Sequence, residues 1–115
     1  FPALKRNGAA LDIRLADDST VAGLNCGNTV VSGYVVASSL VQAYNGTAIP
    51  AGGATNTGVM FSSTSGFGVF FGSGAPTVSA AKGSLYLRSD GSTINDRMYV
   101  NTNGSTTWTA VTTTS

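Results

Sequence analysis

Very few side chains in this 115-residue sequence are equipped for chemistry. It has no histidine and only five acidic residues, all aspartates: Asp12, Asp17, Asp18, Asp90 and Asp96. Without histidine, neither a Ser-His-Asp nor a Cys-His nucleophile can be assembled within one chain, and zinc sites of the usual Cys/His type are excluded as well. Cys26 is the only cysteine, so no intrachain disulfide forms, and it reads as a small apolar residue rather than a nucleophile. Asp90 and Asp96 bracket "SDGSTIND". Two carboxylates are what a glycosidase needs, but Asp, Asn, Ser and Gly at this density are the residues of a turn.

The same loop offers Asp90, Ser92, Asn95 and Asp96 as oxygen donors for calcium. Their spacing is not that of an EF-hand, and two carboxylates are few for a tight site, so we assign no metal and no cofactor. "GFGVFFGSG" (66–74) superficially resembles a phosphate-binding loop but lacks Lys followed by Ser or Thr, and no helix follows. Its glycines read as bends or close backbone approaches in a sheet. Asn45 and Asn103 stand in N-x-Ser/Thr patterns, yet each precedes Gly and already has a structural role in a turn. The sequence therefore predicts a protein that is not an enzyme.

Binding is the stronger prospect. Tyr86, Arg88, Arg97 and Tyr99 alternate along two successive strands, and Trp108 stands on a third. On one face they would form an aromatic and guanidinium surface able to stack a sugar or anchor a protein; the competing reading is packing across a subunit seam. Phe61, Phe67, Phe70 and Phe71 lie in a stretch without charges and read as core or as the interface of a trimer.

The elements that must position these residues are strands. "FPALKRNGAALDIRLADDS" reads as a hairpin, with Asn7-Gly8 at the turn and Leu11, Ile13 and Leu15 on one face. Residues 24–48, rich in β-branched side chains and interrupted by Gly27, Gly33 and Asn45-Gly46, predict two or three more strands, with a helical turn as the alternative for "SSLVQAY" (38–44). "IPAGGATNTG" (49–58) is a loop. Strands are then predicted around Val59–Ser62 and Phe67–Phe71. Residues 83–111, "GSLYLRSDGSTINDRMYVNTNGSTTWTAV", predict a three-stranded antiparallel meander with Leu85 and Leu87 on one face and Tyr86 and Arg88 on the other. A six-residue loop and a tight turn at Asn103-Gly104 would join its strands. The fold class is all-β, as a sandwich or an intertwined prism of short strands. Its expected parts are an N-terminal hairpin (1–22), an uncharged β-rich region (23–82) and the meander (83–115).

Charge distribution bears on partners. Only 10% of residues are charged, against roughly 25% in an ordinary domain, and none lies between residues 19 and 81. A long neutral β-prone surface invites edge-to-edge association unless it is buried, so an obligate homo-oligomer is expected. A net charge of +1 provides no stripe for nucleic acid, and no apolar run approaches the roughly 18 residues of a membrane span. The sequence opens at Phe1 rather than Met, from which we expect further polypeptide upstream.

Residues 67–113 together with 1–19 resemble pieces of the tail fibres, spikes and related virion fibres of tailed bacteriophages and prophages. The later block is the more specific, with Gly83, Leu85, Tyr86, Arg88, Tyr99, Val100, Asn103, Gly104, Trp108 and Thr109 in order. The middle third of the chain carries no such likeness. The resemblance implies a noncatalytic homotrimeric appendage, made in the host cytoplasm and located on the particle, with other virion proteins and a bacterial surface glycan as partners. It carries over no receptor-binding residues. A capsid decoration protein or head fibre is the alternative position, and a polysaccharide-degrading spike or a free carbohydrate-binding module are the remaining readings.

Overall fold

The structure is a computed structural model, and it describes residues 3–8, 10–14, 27–43, 48–55, 57–62 and 66–114. Strands are the only regular elements among them: β1 (Ala3–Asn7), β2 (Ala10–Arg14), β3 (Val59–Met60), β4 (Gly68–Gly72), β5 (Leu85–Arg88), β6 (Met98–Asn101) and β7 (Trp108–Ala110). The chain divides into two compact units, residues 1–38 and 39–115.

The first unit contains the expected hairpin, with β1 antiparallel to β2. Its register differs from the expectation by one residue. Asn7 pairs with Ala10, so Asn7 belongs to the strand and Gly8 to the turn. Gly8 takes φ 58°, a left-handed value that costs glycine little. Leu15 and the Asp17-Asp18-Ser19 turn lie outside the described residues.

The expected strands within residues 24–48 are absent among the described residues. Residues 27–43 are irregular and every one of them is exposed. Apolar doublets, Val30-Val31 and Val35-Val36, send side chains both ways from an extended chain, so a strand there would need cover on both sides. Residues 24–26 and 44–47 lie outside the description.

The second unit is built on a five-stranded mixed sheet in the order β3-β4-β5-β6-β7. The meander is present, β5 and β7 each running antiparallel to β6. Its connections are longer than expected: residues 89–96 join β5 to β6, since the Arg88 amide donates to the carbonyl of Arg97. Residues 102–107 join β6 to β7, replacing the tight turn at Asn103-Gly104. β4 runs parallel to β5, which the sequence did not announce. A parallel pair needs a crossover of about a dozen residues, here the irregular segment 73–84. Because β4 pairs with β5, residues 59–72 of the uncharged region share one sheet with the meander.

The core lies on one face of this sheet. Phe70, Val78, Ala80 and Tyr86 are buried, and Tyr99 and Trp108 pack against them. The segment 50–53 approaches this face, with the Thr77 and Val78 amides donating to the Gly52 carbonyl. Gly72 makes the approach possible: a Cβ there would meet the Tyr86 hydroxyl and the Pro50 carbonyl. Burying rings of this size is worth about 1.5–3 kcal/mol each, so Phe70 and Tyr86 are the main anchors of a small core.

Candidate functional site

Strand alternation brings Tyr86, Arg88, Tyr99 and Trp108 to the inner side of the sheet, whereas Arg97, just before β6, is exposed. Tyr86 pairs with Tyr99 across β5 and β6, their rings 6.0 Å apart and edge-to-face. Trp108 stands 5.9 Å from Tyr86 and 6.3 Å from Phe70. Tyr86 is 0% exposed, so it cannot be a contact residue for a glycan or a partner. Its hydroxyl donates to the carbonyls of Ser73 and Gly74 at 3.3 and 3.2 Å, and burial raises its pKa above the ordinary tyrosine value, with nearby Asp90 adding to the shift. The Trp108 indole N–H donates to the Val78 carbonyl at 2.9 Å. These polar tips are satisfied by backbone, as buried Tyr and Trp require.

The charged groups close the end of the sheet. Arg88 Nε donates to Asp90 Oδ1 at 2.8 Å, an oxygen that also accepts the Gly74 amide at 2.8 Å. Arg88 Nη1 reaches the Tyr99 hydroxyl at 3.5 Å and lies 3.8 Å from Asp96 Oδ2. The Arg88 hydrogen bond, followed by that from Gly74, holds the Asp90 carboxyl down to about 2. Asp96 is also lowered, chiefly because it accepts the Thr93 amide, and Arg88 is raised by Asp90 and Tyr99. Both aspartates are therefore held as anions, whereas glycoside hydrolysis requires one of the pair to be raised so that it can act as a general acid. They converge on a guanidinium supplied by the chain itself, and chemically the arrangement is a clasp on loop 89–96.

Arg97 is exposed, and its Nη1 donates to Thr113 Oγ1 at 3.4 Å. Beside it, Thr112 Oγ1 donates to Asn95 Oδ1 at 2.8 Å and the Thr113 amide to the Ile94 carbonyl at 2.7 Å, which ties the C-terminal segment over the loop. On the β6–β7 side, buried Asn101 organises the connection. Its Nδ2 donates to the Ser105 carbonyl and its Oδ1 accepts the Gly104 amide, both at 2.7 Å. The Asn103 side chain accepts the Ser105 and Thr107 amides at 2.8 and 3.1 Å, which is a structural use for the Asn-Gly pair.

The four phenylalanines do not form one surface. Phe70, 2% exposed, belongs to the chain's own core and is not available as a seam. Phe61 is 62% exposed and packs edge-to-face on Phe67 at 6.3 Å. Phe71 falls on the opposite face of the sheet from Phe70, opposite Leu87 of β5. The face carrying Leu85, Leu87, Met98 and Val100 was legible from alternation; that it is the outer one was not. A signal was present: "VFF", "LYL" and "MYV" are apolar at consecutive positions, the pattern of strands covered on both sides.

No family model matches the chain, and no curated protein or solved structure is similar to it at the significance applied.

Proposed function

We propose that this chain is a noncatalytic structural module of a bacteriophage virion appendage, a homotrimeric tail fibre or spike contributing to attachment at the bacterial surface. The observation that carries the oligomeric part is the segment 27–43. Val30, Tyr34, Val36 and Val41 are 95%, 87%, 80% and 77% exposed in a stretch without a charged residue. Apolar surface of that extent is stable in water only when another polypeptide covers it. The viral part rests on the resemblance of residues 1–19 and 67–113, and the aspartates held as anions on Arg88 favour a structural over a hydrolytic role.

Light scattering on the purified chain tests the proposal. A trimer mass is the expected result, and a monodisperse monomer at micromolar concentration overturns it. A glycan array then separates attachment from capsid decoration: glycan binding places the module at a receptor, and a silent array favours decoration of the shell.

A further inference from the structure

The outer face of the five-stranded sheet has properties of its own. Register places Val59, Val69, Leu85, Leu87, Met98 and Val100 on it, away from the Tyr86 core. Val59 and Leu87 are 48% and 47% exposed; the other four are half-buried. Among the described residues of the second unit, each strand packs on its neighbours within the sheet. No strand residue on the outer face is charged: Arg88 alternates onto the inner side, and Lys82, Asp90, Asp96 and Arg97 sit in the connections.

We propose that a second copy of this chain docks here, the same face of each copy turned toward a shared symmetry axis. Neutrality selects the occupant. An ordinary protein surface would bring charged groups, roughly a quarter of its residues, into an apolar contact with no counter-charge, which is costly. A second copy brings a face as neutral as its own, and a patch presented by every copy closes into a symmetric assembly. Five strands about 4.8 Å apart and two to five residues long give roughly 300 Å² in projection. That is less than the roughly 800 Å² per partner of a standard interface, so Phe71, opposite Leu87, and the exposed Phe61 just beyond β3 supply further area. The proposal rests on the homo-oligomeric reading above and names the surface that serves it.

The test measures solution mass for the unaltered chain, Leu87→Arg, Thr109→Lys and Ser92→Lys. Thr109 pairs with Val100 and so lies on the same face, yet it is exposed, so its substitution is less disruptive to the fold than Leu87→Arg. Ser92 lies in the exposed connection between β5 and β6. The expected outcome is that the unaltered chain and Ser92→Lys hold the trimer, while Thr109→Lys and Leu87→Arg fall to a third of that mass, the 11.6 kDa monomer. Trimers retained by both face variants overturn this surface while leaving the homotrimer standing. A monomeric unaltered chain overturns both.

Discussion

Residues 27–43 and residues 83–111 have similar appetites for β-structure and opposite outcomes. Both draw on Val, Tyr, Ser, Thr and Gly. The first has no regular element and no covered residue, and the second forms three paired strands over a buried tyrosine. The difference lies in what long-range partners do for each. In 83–111, Tyr86 meets Tyr99 and Trp108, Ser84 Oγ donates to the Gly66 carbonyl and accepts the Gly68 amide, and Asn101 holds the loop beyond it. β propensity alone is a preference for a half-buried pleated surface, and residues 27–43 find no such surface among the described residues.

The sharpest way to break that comparison is to remove the ring at its centre. Tyr86→Ala should destabilise the sheet by about 3–5 kcal/mol, the range for deleting a buried aromatic; a urea midpoint unchanged from the parent would show that the core lies elsewhere. Asn101→Ala comes next, at about 1–3 kcal/mol, because it leaves the Gly104 amide and the Ser105 carbonyl without their partner. Hydrogen exchange should show the 102–107 amides losing protection before those of β5.

Acid offers a gentler probe. Asp90 titrates near 2 in the fold against an ordinary 3.8, so its contribution is fully present above about pH 4 and disappears as pH falls through about 2. Its carboxyl carbon shift, followed by NMR, should move at that low pH, and Arg88→Gln should return the midpoint toward 3.8. A midpoint near 4 in the parent would mean that the clasp on loop 89–96 is open in solution. Smallest of all, Val36→Ser should change the intrinsic stability of the sheet by less than about 0.5 kcal/mol, as expected for an exposed site. Its effect should appear in assembly instead, as a dissociation midpoint shifted to higher protein concentration.

Much of the fold was legible from local pattern, in particular the first hairpin, the 49–58 loop and the three strands of the meander. The errors share a physical origin. The parallel pairing of β4 with β5 depends on a 73–84 crossover that has no local signature. The strands expected in 24–48 were read from propensity without asking what would cover both faces. The lengths of the 89–96 and 102–107 connections are set by side-chain caps, Asp96 on the Thr93 amide and Asn103 on the Ser105 and Thr107 amides, that become visible only once the chain has turned.

The candidate site shows the division most clearly. Alternation by itself determined that Tyr86, Arg88, Tyr99 and Trp108 share one side of the sheet and Leu85, Leu87, Met98 and Val100 the other, because successive side chains in a strand point opposite ways. Which side faces inward was decided only in the tertiary structure. Both sides are apolar enough to be buried, and Gly72, in phase with Phe70, leaves room on one of them for segment 50–53 to close over Tyr86. The aromatic surface that composition offered for binding therefore became the core, and the leucines that composition offered for the core were left facing out.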